Sequence, residues 1–219
     1  MTFVILGLDY FDIDGGERLN KFYNLVKPNQ IIINTNQQSL SRDLKYLKEA
    51  NNLLDSELIN SENDKLKFDL KKLIYTSCYV SHQTYSYFIS NDKTSLFMTG
   101  IPTRLSFPKL PLKEDSKDLY KSFLSTQNVV TDLANRKKDM DYGTYHATLT
   151  LENLSPFTRS YTEEQIYKMA DLAIKVHNPN LTTAFIGPHL EFIEYDRLAK
   201  KISSIETHKI SLEDLSSYK

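Results

Sequence analysis

Two rhythms of apolar residues alternate along this chain. Short unbroken runs, Phe3 to Leu6, Ile31 to Ile33 and Ser95 to Met98, read as strands buried on both faces of a mainly parallel sheet. Between them lie segments with apolar positions three and four apart. Leu19, Phe22, Tyr23 and Val26 predict a helix over 17–27, stopped by Pro28 and Asn29. Leu40, Leu44, Leu47 and Leu54 predict another over 39–54, followed by a polar loop over 55–64. Residues 65–74 read as helix, and the Tyr-, Ser- and Thr-rich stretch 75–89 fits helix or strand. After a proline-punctuated connector at 107–112, the longest helical pattern covers 116–138. Thr162-Glu-Glu-Gln165 has the form of a capping box opening a helix that runs to about Val176. A strand over 182–186, a helix over 193–202 and a strand over 207–210 complete the pattern.

Strand, helix and strand within 3–33 make a βαβ unit, and the end of the chain echoes it. Phe3-Val-Ile-Leu-Gly7 and Thr183-Ala-Phe-Ile-Gly187 are both apolar strands closed by glycine, each followed by an Arg-Leu-x-Lys segment at Arg18–Lys21 and Arg197–Lys200. Two such units predict glycine turns gathered at the carboxyl edge of one sheet, where open α/β sheets place their sites. The expected architecture is a single α/β domain over 1–219, its central mainly parallel or mixed sheet flanked by helices, with a variable or inserted region about 55–94.

Composition narrows the function classes. A chain of 219 residues is long enough to bury about 70% of its unfolded surface. Its 27 Lys and Arg nearly cancel 28 Asp and Glu, so no global field draws it to nucleic acid or an anionic membrane. No apolar run approaches the roughly 20 residues of a membrane span. One cysteine, Cys78, excludes an intramolecular disulfide and a cysteine-rich zinc cluster, and a reducing intracellular compartment is expected.

Several segments together resemble the TraB family of pheromone-shutdown proteins and Tiki metalloproteases. Leu6-Gly7-Leu-Asp-Tyr10 is similar to that family's opening Gly-x-x-His loop, Val26-Lys-Pro28-Asn29 to its Pro-Asp-type turn, and Ile31-Ile-Ile-Asn34-Thr35 to its second strand. Met98-Thr-Gly-Ile-Pro-Thr-Arg104 resembles the central strand-and-Arg segment, Glu164-Gln165-Ile-Tyr-Lys-Met169-Ala170 the Glu-Arg-x-x-x-Met-Ala helix, and Phe185-Ile-Gly187-Pro-His189 the closing Gly-x-x-His loop. The resemblance implies one α/β domain with two βα glycine-loop units. Its departures point away from chemistry: Tyr10 stands where the family has His, Asn34 where it has Glu, Ser39 where it has Arg and Gln165 where it has another Arg. A metal hydrolase needs imidazoles or carboxylates to hold its ion and move protons, which a phenol, an amide and a hydroxyl do not supply at neutral pH. The expectation is a pseudoenzyme without cofactor or bound metal, serving with protein partners as a structural or interaction subunit of a larger assembly. It is placed in mitochondria, as some eukaryotic relatives are, or in the cytoplasm. The alternative is an active metal-dependent hydrolase that holds a divalent ion with His189 and Asp9 or Asp12.

Other constellations compete. His82-Gln-Thr84 and His146-Ala-Thr148 form two His-x-Thr tripeptides, the signature of two-histidine phosphoesterases, in which imidazoles act as acid and base while threonines bind phosphate. They serve equally well as structural or surface residues. Cys78 and His82, at i and i+4, could pair a thiol with its base or fill a core. Asp12, Asp14, Glu17 and Arg18 make an acidic turn whose ordinary role is to start a helix. The tyrosines from Tyr75 to Tyr87 suit either a partner surface or a core built without Trp.

Overall fold

The computed structural model describes residues 2–8, 15–55, 64–102, 161–188 and 195–211. The segments read as strands form five parallel strands: β1 (Phe3–Leu8), β2 (Gln30–Ile33), β3 (Ser95–Met98), β4 (Thr183–Pro188) and β5 (Thr207–Ser211). The helices are α1 (Gly15–Val26), α2 (Gln37–Asp55), α3 (Asp64–Ile89), α4 (Glu163–Val176) and α5 (Tyr195–Lys201). Sheet order is β3-β2-β4-β1-β5. The chain is thus a single-domain α/β fold, and every pairing between its described strands is parallel.

Strand alternation divides the core. Val4, Leu6, Leu8, Ile31, Ile33, Ala184 and Ile186 face one way and meet Leu19, Phe22 and Tyr23 of α1 with Tyr79 and Val80 of α3. Phe3, Ile5, Ile32 and Phe185 face the other way, onto Ile166, Met169, Ala170 and Ala173 of α4 and Leu198 of α5. Strands β1 and β2, buried along their whole length, have no polar side to show, which is why they read as continuous apolar runs. Burying one such side chain contributes roughly 1.5–3 kcal/mol. Strand β3, expected to be buried on both faces, is instead an edge strand with Ser95 exposed and Leu96 to Met98 half-buried.

The echo between the two chain ends is a structural symmetry. The connection from β1 to β2 passes over β4 with α1 on one face, and that from β4 to β5 passes over β1 with α5 on the other. Registers obey the same two-fold relation: Phe3 aligns with Thr183, and as Phe3 aligns with Thr207 of β5, so Thr183 aligns with Gln30 of β2. Each following helix begins equally far from its glycine, Gly7 to Gly15 and Gly187 to Tyr195. Leu19 and Leu198 of the two Arg-Leu-x-Lys segments are fully buried, one on each face.

Differences from the sequence expectations are local. Residues 65–74 and 75–89 form one 26-residue helix, α3, with no break between them. Its β-like stretch is helical because Tyr79 and Val80 fill the sheet face beside α1 while Ile74, Cys78 and Ser81 are buried on the same helix, so packing overrides local propensity. Within 55–94, the helix α3 covers 64–89 and buries Ile74, Cys78, Tyr79, Val80, Ser81 and Thr84. Tyr79 is buried, Tyr75 and Tyr87 are half-buried, and Tyr85 stands exposed. The capping box is present, Thr162 Oγ1 accepting from Gln165 N and Gln165 Oε1 accepting from Thr162 N. The helix at 116–138 and the strand around His146 lie outside the described residues. No helix among the described residues is long and apolar enough to cross a membrane.

The start of α1 is fitted beneath α3. A Cβ on Gly15 would meet the Tyr79 ring at 2.5 Å, and one on Gly16 would collide with the Tyr75 ring. Gly15→Ala is expected to cost about 1–3 kcal/mol in denaturant unfolding, as overpacking does. The penalty should shrink in a Tyr79→Leu background, where the ring is gone; an equal penalty in both backgrounds would remove Tyr79 as its cause.

Candidate functional site

Parallel register places one row of residues along the carboxyl edge of the sheet. Gly7 is paired with Gly187 and with Ser211. Ile33 is aligned with Ile186 and Met98, so Asn34 and Thr99, the next residues, continue the same row. Asn34 N confirms the level by donating to Ile186 O at 2.9 Å. Read across the sheet, the row is Thr99, Asn34, Gly187, Gly7 and Ser211, and none of these side chains titrates at ordinary pH.

Asn34 is 2% exposed, and both ends of its amide are engaged. Its Nδ2 donates to Tyr161 Oη at 2.6 Å, and its Oδ1 accepts from Thr99 Oγ1 at 2.8 Å. Thr99 Oγ1 in turn accepts from Ile101 N at 3.3 Å. Gly100, at φ +76°, makes the turn that allows this, its N donating to Thr35 O at 3.0 Å; that region favours glycine. The network reaches the other crossover through Arg197, which donates to Tyr161 O at 2.8 Å and pairs with Glu163 at 2.7 Å. Asn34 therefore ties the ends of β2 and β3 to the start of α4, a buried polar group with its partners supplied.

The other sequence-derived positions fall as follows. Ser39, 4% exposed, lies in the first turn of α2, where its N donates to the Asn36 side chain at 2.7 Å. Gln165 closes the capping box of α4, and Gly7 and Gly187 are neighbours. Asp9, Tyr10, Asp12, Asp14, Arg104 and His189 lie outside the described residues, as do His146 and Thr148. Among the described residues no three His, Cys, Asp or Glu side chains gather as they would around a metal ion.

His82 and Thr84 stand on helix α3, and this corrects the strand geometry that the two-histidine reading requires. Two residues apart on a helix point about 200° apart, whereas on a strand they share a face. Thr84 is fully buried, its Oγ1 2.7 Å from Tyr23 Oη. The His82 ring meets Tyr75 edge-on at 5.5 Å, its Nδ1 finds no hydrogen-bond partner among the described residues, and burial lowers its pKa. Cys78 does not form a nucleophile pair with it. Burial first, and then Asp43, push the thiol well above its ordinary range, so thiol and imidazole are both held neutral, the opposite of an activated pair.

Sequence reading missed a buried carboxylate, Asp43. It sits between α2 and α3, accepting from Ser81 Oγ at 2.7 Å and from Arg42 at 3.0 and 3.2 Å. Burial raises its pKa above 3.8 despite hydrogen bonds from Ser81 and Arg42 that pull it down. The available signal was its place at i+3 from Leu40 and i−4 from Leu47, on the apolar stripe of α2.

Asn34→Ala is expected to destabilise the fold by about 1–3 kcal/mol, since it removes the acceptor of Thr99 Oγ1 and the donor to Tyr161 Oη, and Tyr161→Phe by about 1 kcal/mol. Denaturant unfolding measures both. A folded-state pKa raised for an acid means that the native state binds more protons than the unfolded chain just above 3.8, so the contribution of Asp43 to stability falls as pH rises through that window. Melting temperatures of wild type and Asp43→Asn should therefore converge or cross in favour of wild type as pH is lowered through it. A gap between them independent of pH would contradict the raised value.

Comparison of the chain with protein-family models, with curated proteins and with solved structures returned no match.

Proposed function

We propose that this chain is a non-catalytic α/β domain, a degenerate TraB/Tiki-like scaffold, that acts as a structural or interaction subunit of a larger protein assembly, in mitochondria or the cytoplasm. The observation carrying the reading is the row at the carboxyl edge. Where an open α/β sheet places its chemistry, these strands end in two glycines, a serine, a threonine and an asparagine whose amide is spent on holding the edge together. Gln165, at a position where the resemblance expects Arg, is likewise spent on a helix cap.

The outer surface supports a partner. Tyr167 and Ile174, two turns apart on one side of α4, are 50% and 49% exposed, and Lys201 lies over the Tyr167 ring at 4.1 Å. Large side chains of this kind, rimmed by charge, are favoured at interfaces.

Metal content and hydrolysis of peptides by the purified chain, together with the native size of the protein in extracts of its own cells, test this. The expected result is no stoichiometric divalent ion, no peptide hydrolysis, and a native mass well above the monomer that falls in a Tyr167→Glu, Ile174→Glu variant. A stoichiometric ion together with hydrolysis, both lost in His189→Ala, would establish the metal-hydrolase alternative instead.

A further inference from the structure

At the edge of the sheet opposite the row, α1 and α3 open a cleft of about 670 Å3. It is lined by Asn20, Tyr23 and Asn24 of α1 with Lys27 just past its end, and by Gln83, Ser86 and Tyr87 of α3 with Ser90 just past its end. Here only the Tyr23 and Tyr87 rings meet, stacked at 4.5 Å and 13°, and the remaining positions are amides, hydroxyls and a cation. Tyr23 is fixed from behind by Thr84, so the floor is rigid. Asn20, Asn24 and Ser86 line the cleft and are open to solvent, so their amides and hydroxyl are accessible to a ligand there. Its volume lies in the range of small-molecule sites.

Charge at the mouth adds a second, independent feature. Lys27 and Lys93 line the cleft with one acid, Asp92. Lys27 is the one non-glycine described residue at positive φ, +47°, and it occupies the position after α1 that glycine or asparagine ordinarily takes. Holding a lysine there costs roughly 1–2 kcal/mol of backbone strain. Complementing the helix dipole does not require it, because a lysine within the last turn would do so without strain, and neither α1 nor α3 carries a basic residue in its last turn.

From these features we infer that the cleft is a binding site for a sugar phosphate, its hydroxyls taken by the Asn20, Asn24 and Ser86 side chains and its phosphate by Lys27 and Lys93. Amides supply both donors and acceptors, matching a hydroxyl's dual character, and two ammonium groups match the dianion. The site is independent of the carboxyl edge and of the assembly role proposed for the domain.

Calorimetric titration of the full chain with a panel of hexose and pentose monophosphates tests it, with glucose and inorganic phosphate as controls. At least one sugar phosphate should bind at least about tenfold more tightly than either control. Lys27→Gly is the informative variant, since glycine relieves the strain: its melting temperature should hold or rise while affinity falls by about tenfold or more. Asn24→Ala should weaken the sugar phosphate and leave inorganic phosphate unchanged. No saturable binding across the panel, equal binding of inorganic phosphate, which would make this a bare anion site, or affinity untouched by Lys27→Gly would each overturn the inference.

Discussion

Everything in this fold is arranged around the pairing of β1 with β4, which sets Gly7 beside Gly187. These two strands are far apart in the chain, yet each is the innermost member of its own βα unit, and each unit's crossover passes over the other's strand. Two adjacent crossovers of the same hand running in opposite directions must lie on opposite faces, so one pairing decides the side of the sheet for both α1 and α5. The loops that follow the glycines leave from one edge for the same reason. In open α/β proteins such a reversal makes the crevice in which ligands sit. Among the described residues, the row at this edge consists of Thr99, Asn34, Gly187, Gly7 and Ser211.

Hydrogen bonding explains how the edge is kept without charge. An asparagine buried at the end of β2 must find partners for its amide, and Thr99 and Tyr161 provide them from the end of β3 and the start of α4. A glutamate in its place would have to be ionised and paired, or protonated, to be tolerated among these neighbours. The amide at this position thus serves as a structural group, engaged at both its ends. Arg197 extends the arrangement to α5, which is thereby tied to the start of α4.

Much of this was legible in the sequence because the relevant signals are local. Apolar runs ended by glycine located β1 and β4, the Arg-Leu-x-Lys echo marked their helices, and Thr162 with Gln165 announced the start of α4. Lateral strand order was not legible, since nothing near Gln30 states that β4 will lie between β2 and β1. The stretch 75–89 stayed open between helix and strand because Tyr, Thr and Val favour strands, while the helix is held by Tyr79 fitting against Gly15, a contact between residues distant in sequence. His82-Gln-Thr84 shows the same limit: a tripeptide carries meaning only with the element that bears it, and a helix separates side chains that a strand would align. Asn34 was read as a lost carboxylate, but its partners, Thr99 and Tyr161, became visible only once β3 and α4 had been brought to it.

The central proposal is that the carboxyl edge, where an open α/β sheet places its chemistry, is held by neutral groups and takes no metal ion. Amide spectra of 15N-labelled protein titrated with Mn2+ address it most directly, because a bound paramagnetic ion broadens only the signals around it. The account predicts that Gly7, Gly187 and the Asn34 side-chain amide stay sharp while exposed carboxylates broaden weakly and in proportion to the added ion. Selective loss of those three signals at substoichiometric Mn2+ would contradict it.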